Sequence, residues 1–298
     1  MLRLGLVCQF IEANIKFKFT TYKNVSKLPK QEILQKISSL CLDNVKSLLE
    51  AIEYCYHNNI GCFRINSKIL PLKTHPKVKY ELEELPDHKK IKYILEECKQ
   101  KAQKYNIRLT FHPDQFVILN SPNNEIIEKS IEDLLYHCEV AEMVGADVIT
   151  IHAGGAYNDK KESLKRLSKT LQNLDPRILK LLAIENDDKI YTPKDLISFC
   201  KTYNLPFVYD VLHHRCNPDN LQIEEVTQMA IETWDREPLF HLSSLNKEKN
   251  LNCHCSHADY IDINDFPKFW KDLSLTIEIE AKYKELAIKK FQKDLEKI

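Results

Sequence analysis

The sequence predicts one α/β domain over residues 1–298, folded as a (β/α)8 TIM barrel. Short apolar runs with strand character alternate eight times with segments of helical spacing, without a low-complexity tract or a Pro/Gly-rich linker. Residues of metal-binding type follow most of these runs, and the carboxyl ends of barrel strands are where such sites lie. A doubly wound open sheet is the alternative, but it needs a Gly-rich phosphate turn, which Gly154-Gly155 matches poorly.

The elements of the first half follow from the period of their apolar residues. In the segment 29–59, for example, Ile33, Ile37 and Leu40 recur at the three-to-four spacing of a helix face. By the same reasoning we predict strands at Arg3–Cys8, Gly61–Ile65, Ile107–Phe111 and Val148–Ile151, and helices at 29–59, His88–Tyr105, 124–144 and 160–173.

The second half continues the alternation. Thr192 and Pro193 mark a helix start, because Thr caps the first turn and Pro suits the first helical position. We predict strands at Leu181–Ile184, Phe207–Tyr209, Leu239–Leu242 and Leu275–Ile279, helices from Thr192, at 222–232, at 264–272 and at the lysine-rich end, and a polar loop at 243–260.

Composition narrows the class of protein. Hydrophobic residues make up 43% and charged residues 29% of the chain, as in an ordinary globular protein, and no apolar run reaches the ~18 residues of a membrane span. Lysine plus arginine equals aspartate plus glutamate, 43 each, so net charge neither supports nor excludes a nucleic-acid partner. The ten cysteines are scattered, mostly in apolar surroundings, which favours free thiols in a reducing compartment, the cytoplasm or the nucleus.

Imidazole and carboxylate side chains recur at the ends of consecutive predicted strands. The set is His112, His152, Glu185, Asp210, His241 and Glu280, with His213 and His257 in loops of the same face. Such ligands fit Zn²⁺ or Mn²⁺, and they exceed the needs of one ion, so we expect two or three ions with Glu185 as a bridge. A separate zinc knuckle at Cys253-x-Cys255, with His254 and His257, lacks a second cysteine pair.

The chain resembles the UV damage endonuclease family, and more remotely endonuclease IV. The matching pieces are spread from residue 3 to about residue 284. They are Arg3-Leu4-Gly5, Phe63-Arg64-Ile65, Thr74-His75-Pro76, His112-Pro113-x-Gln115-Phe116-Val117, His152-x-Gly154-Gly155-Ala156-Tyr157, Leu182-Ala183-Ile184-Glu185-Asn186-Asp187, Asp210-x-Leu212-His213-His214, His241-Leu242 and Glu280-Ala281-Lys282.

The resemblance implies a TIM barrel with up to three divalent ions, usually manganese, with zinc or magnesium as alternatives. It implies incision of DNA on the 5′ side of a lesion, leaving a 3′-hydroxyl and a 5′-phosphate. When the family's ligands are carried over onto the matching motifs, the resemblance implies three sets. The first ion would be held by His112, His152 and Glu185, the second by Glu185, Asp210, His241 and Glu280, and the third by His213 and His257. Gln115 and Phe116 match the pair that enters the duplex, and His75 is expected near the phosphate or the third ion.

Two departures from the family pattern stand out. Leu239 occupies the position of a family lysine, two residues before the strand-seven histidine, which bears on the third ion. Leu6 and Phe10 occupy the positions of a tyrosine and an asparagine on the lesion side, which bears on the lesion that is recognised.

The favoured hypothesis is therefore a monomeric, metal-dependent endonuclease for damaged double-stranded DNA, with Glu185, His241 and Glu280 in the catalytic centre. Five lysines are expected to contact phosphates: Lys73, Lys77, Lys79, Lys247 and Lys249. One alternative is a metal-dependent sugar isomerase or epimerase on a similar barrel. Another is a DNA-binding barrel that has lost catalysis, because Leu239 interrupts the ligand set.

Overall fold

The computed structural model describes residues 2–246 and 255–298. Its eight strands are all parallel and close into a barrel in sequence order, β1 beside β8. The strands are β1 (Arg3–Val7), β2 (Cys62–Ile65), β3 (Arg108–Phe111), β4 (Val148–His152), β5 (Leu182–Glu185), β6 (Phe207–Asp210), β7 (Leu239–Leu242) and β8 (Thr276–Ile279). The predicted (β/α)8 barrel is confirmed.

Helices lie outside the strands, and their apolar faces pack on the barrel. The described α-helices are α1 (Tyr22–Val25), α2 (Lys30–His57), α3 (His88–Lys104), α4 (Asn124–Val144), α5 (Lys160–Leu171), α6 (Pro176–Leu181), α7 (Pro193–Tyr203), α8 (Val211–Cys216), α9 (Ile223–Ile231) and α10 (Lys284–Leu295). Within these described ranges, no helix combines the length and apolar character that crossing a membrane requires.

The predicted helix at 264–272 is replaced in the structure. The segment forms two short 3-10 helices instead, Ile263–Asp265 and Lys268–Asp272. Phe266 and Pro267 between them have extended backbone, with ψ values of 122° and 106°. Proline has no N–H to donate and disfavours helical backbone at the residue before it, so a continuous helix cannot pass through this pair.

The alternation of side chains along each strand determines where the site lies. Alternate residues of each strand face the barrel interior, where Val148, Ala183, Val208 and Leu239 form a fully buried apolar layer. Two residues further along β5, β6 and β7 come Glu185, Asp210 and His241. The barrel is therefore apolar at mid-height and polar at its carboxyl end.

Two cysteines form a disulfide, whereas free thiols were predicted. Cys216, at the end of α8, is disulfide-bonded to Cys255, and their Cα atoms are 6.4 Å apart. The chain that returns after β7 brings Cys255 against α8, a proximity that 39 residues of sequence separation conceal. Seven other cysteines of the described residues are free, as predicted. The disulfide ties the segment that carries His257 to the helix that carries His213.

Candidate metal centre

The predicted ligands meet at the carboxyl end of the barrel. His152 and Glu185 are register partners in neighbouring strands, as are Asp210 and His241. Three groups have potential ligand atoms within 4.8 Å of one another and could each hold a metal ion. They are His112–His152–Glu185, Glu185–Asp210–His213 and Asp210–His241–Glu280.

Glu185 belongs to two of these groups and faces a different pair of imidazoles with each carboxylate oxygen. Its Oε2 is 2.7 Å from Nε2 of His112 and 3.7 Å from Nε2 of His152. Its Oε1 is 2.9 Å from Nδ1 of His241 and 3.4 Å from Nδ1 of His213. A carboxylate placed in this way can bridge two cations.

The environment of Glu185 keeps it ionised although it is only 1% exposed. Burial raises the pKa of its carboxyl group, but His241 and His152 and the hydrogen bonds of His112 and His213 together lower that pKa well below its usual range. The charged form is the one that binds cations.

Asp210 supplies a buried oxygen that lacks a hydrogen-bond partner among the described residues. Its Oδ1 accepts a hydrogen bond of 2.8 Å from the backbone N–H of His213 and so caps α8. Its Oδ2 has no hydrogen-bond partner among the described residues. Burial, Glu185 and Glu280 raise the pKa of this carboxyl group, although His213 lowers it. An unsatisfied carboxylate oxygen beside neighbouring ligands fits a divalent cation.

Neighbouring backbone fixes two of the imidazoles. Nδ1 of His112 is 3.1 Å from the carbonyl of Pro113, and Nδ1 of His213 is 3.0 Å from the carbonyl of Asn186. A carbonyl only accepts, so each of these contacts favours a proton on Nδ1, which would leave Nε2 as the nitrogen that binds a metal ion. Asn186 also exchanges hydrogen bonds of 2.9 Å with the backbone of Asp210, which joins β5 to β6 below the site.

The third predicted ion has fewer ligands. Nδ1 of His257 is 3.8 Å from Oε2 of Glu280, and the ring of His257 lies 6.4 Å from that of His213. Leu239 is fully buried in the apolar layer below and offers no ligand. Within residues 2–246 and 255–298, the groups that could hold a metal do not include His257.

The predicted lesion contacts separate into exposed and buried residues. Gln115 and Phe116 lie in the turn after β3 and are exposed, Phe116 to 77%. His75 stacks on Tyr22, with ring centroids 4.8 Å apart, and lines a cavity of about 730 Å³ that reaches His112. Lys77 places its ammonium 5.3 Å from the centre of the Tyr22 ring.

Leu6 and Lys73, which were predicted to contact DNA, are buried, and Phe10 is partly covered by protein. Leu6 is fully buried in β1. Phe10 is half-buried and packs its ring on Tyr54 and Phe63.

Lys73 is only 7% exposed. Its ammonium donates to the carbonyl of Tyr80 and to the carboxylate of Glu81, so it is not free for a phosphate. Lys79 is exposed but forms an ion pair with Glu132. The predictions for Lys247, Lys249, Cys253 and His254 lie outside the described residues.

Sequence reasoning missed two charged residues directly beneath the ligands, Arg64 and Glu278. Arg64 is buried and pairs with Glu278 and with Glu280, its Nη1 lying 2.5 Å from Oε1 of Glu280. Burial raises the pKa of Glu278, but Arg64 and His241 lower it to about 2. The sequence does contain a signal for these residues. Arg64 lies inside an apolar strand, and Glu278 is a second carboxylate two residues before Glu280. Both charges need partners when they are buried.

The chain has relatives over nearly its whole length. The family model described as UV-endonuclease UvdE matches residues 2–298. A UV DNA damage endonuclease of Bacillus mycoides (strain KBAB4) is 33% identical over 282 residues, 91% of this chain and 86% of that protein.

The chain is also similar to solved structures. The crystal structure of SacUVDE is 29% identical, with a TM-score of 0.87 and 100% of both chains covered. Endonuclease IV from Thermus thermophilus is 15% identical, with a TM-score of 0.62 over 99% of this chain and 100% of that chain. This second likeness shows a shared fold alone.

Replacing Glu185 by Ala tests the bridging geometry. We expect the purified protein to hold about two divalent ions by elemental analysis and Glu185→Ala to lose most of them, because the two groups share this carboxylate. Glu237→Ala is the control, since Glu237 pairs with Arg3 at the opposite end of the barrel. Full metal content in a folded Glu185→Ala protein would remove Glu185 from the cluster.

Proposed function

Because the chain belongs to the UV-endonuclease UvdE family, we propose that it is a metal-dependent endonuclease that incises double-stranded DNA on the 5′ side of UV photoproducts and other helix-distorting lesions. The products would carry a 3′-hydroxyl and a 5′-phosphate. The observation that carries the proposal is the ionised, buried Glu185 with imidazoles on both of its oxygens, at the open end of the barrel. Two cations that share one carboxylate suit phosphodiester hydrolysis.

We assign the first ion to His112, His152 and Glu185, and the second to Glu185, Asp210, His241 and Glu280. The donors are imidazoles and carboxylates without a thiolate, which fits manganese or zinc. The family resemblance favours manganese and leaves zinc and magnesium as alternatives. When bound, the ions stabilise the negative charge that develops on the scissile phosphate. We propose two ions, since His213 and His257 alone are too few for a third.

The protein's own groups prepare the site for this chemistry. Glu185 and His241 are buried and Glu280 beside them is partly exposed, and the low dielectric around them strengthens each interaction with a charged phosphate. The carbonyls of Pro113 and Asn186 hold His112 and His213 in fixed orientations, so the ligands need little reorganisation when ions bind.

We propose that lesions are selected by the cost of unstacking the duplex. Damaged bases leave the stack at lower cost than intact ones, and an inserted side chain can fill the space that they vacate. Phe116 is the most exposed large hydrophobic side chain in the described part of the chain, and Gln115 beside it offers amide hydrogen bonds. Both follow His112 by only a few residues, so the wedge lies on the same loop as one of the ligands.

The proposed DNA substrate also suggests which residues contact its backbone and where the enzyme acts. His75 lines the cavity that reaches His112, and Lys77 and Lys79 follow it on the loop after β2. We assign all three to the DNA backbone. An enzyme for genomic DNA acts inside the cell, in the cytoplasm or nucleus. We propose that it acts as a monomer, because one chain supplies both ligand groups.

A nicking assay tests the proposal. Protein with Mn²⁺ should nick irradiated supercoiled plasmid and leave unirradiated plasmid intact, whereas Glu185→Ala should nick neither plasmid. A sugar isomerase or epimerase would give no nicks and would show no preference for irradiated DNA. A barrel that had lost catalysis would bind irradiated DNA and metal without cutting.

The wedge is tested by changing Gln115 and Phe116 together to Ala. We expect this variant to lose nicking of irradiated plasmid while its metal content stays that of the parent, because neither side chain is a ligand. Tyr93→Ala is a matched control, since Tyr93 is 71% exposed on α3. Nicking at the parent rate by the double variant would contradict the wedge role.

The basic rim is tested by the salt dependence of DNA binding. If Lys77 and Lys79 contact phosphates, Lys77→Ala with Lys79→Ala should reduce the log–log salt slope by roughly 0.9 per contact. Lys90→Ala with Lys92→Ala is the control, because both of these lysines are exposed on α3. An unchanged slope in the first variant would place Lys77 and Lys79 in solvent.

A further inference from the structure

Glu278 is a buried carboxylate that the proposed chemistry does not use. It lies in β8, is 1% exposed and, among the described residues, belongs to none of the groups that could hold a metal. It accepts hydrogen bonds from the hydroxyl of Thr110 and from Nε of Arg64, the latter at 2.5 Å. Its Oε2 is 3.1 Å from Nε2 of His241.

The barrel leaves space for this side chain. A Cβ atom at Gly5 in β1 would come within 3.1 Å of Cγ of Glu278 and of Cβ of Cys62. Such contacts are tighter than ordinary packing, so any larger residue at this position would press on Glu278. The glycine thus permits a charged side chain to cross the interior below the ligands.

The two nitrogens of His241 have different surroundings. Nδ1 faces the ligand groups, 2.9 Å from Oε1 of Glu185 and 3.6 Å from Oε1 of Glu280. Nε2 faces away from them, 2.7 Å from Nη2 of Arg64 and 3.1 Å from Oε2 of Glu278. Nδ1 is therefore the atom that a cation would meet.

Arg64 and Glu278 favour opposite tautomers of this ring. A guanidinium only donates, so Arg64 alone would favour a lone pair on Nε2 and a proton on Nδ1, which blocks a metal. A carboxylate accepts, so Glu278 favours the proton on Nε2. Glu185, 2.9 Å from Nδ1, favours a proton there when no ion is bound, but a cation between Glu185 and His241 displaces that proton, and Glu278 then holds the remaining proton on Nε2. Carboxylates that bind the remote N–H of a metal-ligating histidine are a recurrent way to fix its tautomer and orientation.

We propose that Glu278 is a positioning residue for metal binding. It accepts the Nε2 proton of His241 and so presents Nδ1 to the second divalent ion. Arg64 joins Glu278 to Glu280 and keeps both carboxylates beside His241. The proposal rests on the metal dependence proposed above, but not on the identity of the DNA lesion.

A double-mutant cycle on Mn²⁺ binding tests this role, with free Mn²⁺ measured by electron paramagnetic resonance. Glu278→Gln should weaken binding at the second site by about 10- to 100-fold, the usual effect of losing such a partner. In the His241→Ala background the same change should have little further effect, because Glu278 acts through His241. Glu237→Gln, which alters an ion pair at the far end of the barrel, should leave the affinity unchanged.

A spectroscopic measurement separates positioning from general stability. In protein loaded with ¹¹³Cd²⁺, the metal should couple to Nδ1 of His241 in ¹⁵N spectra, and Nε2 should keep its proton. Coupling to Nε2, parent affinity in Glu278→Gln, or fully additive losses in the cycle would each overturn the proposal.

The nicking assay keeps the two proposals apart. Parent Mn²⁺ affinity in Glu278→Gln, in a protein that still nicks irradiated plasmid, removes only the role of Glu278. A wild-type protein that fails to nick removes the proposed function, and the Mn²⁺ cycle still decides the role of Glu278.

Discussion

A fully buried carboxylate, Glu185, is the constraint on which the rest of the site depends. Taking an ionised group out of water costs several kcal/mol, and partners must compensate for it. Here four imidazoles converge on one side chain, two on each oxygen. They come from the carboxyl ends of β4 and β7, from α8 and from the residue after β3, so the whole barrel must close before Glu185 is stabilised.

Much of this arrangement could be predicted from sequence because barrel strands have a simple period. Each of the side chains His152, Glu185 and Asp210 ends an apolar strand. Once the strands are parallel and the barrel is closed, these side chains must lie at its carboxyl end. The predicted ligands therefore lie together although they are far apart in sequence. The motif pieces added the order of the ligands and indicated the family whose model matches residues 2–298.

Other features depend on three-dimensional proximity that sequence does not encode locally. Lys73 looked like a surface lysine, but its loop folds back and buries it against Tyr80 and Glu81. Cys216 and Cys255 pair only because the chain after β7 returns to α8. Arg64 and Glu278 each signalled a need for a partner, but only the closed barrel shows that they are partners of one another and of His241.

The central claim is that Glu185 bridges two cations at this end of the barrel. Crystals grown with Mn²⁺, with anomalous scattering recorded at the manganese edge, test it directly. We expect two anomalous peaks, one between Glu185 and the pair His112 and His152, the other between Glu185 and the pair His241 and Glu280. A single peak away from Glu185, or no peak in protein that still nicks irradiated DNA, would contradict the bridging role.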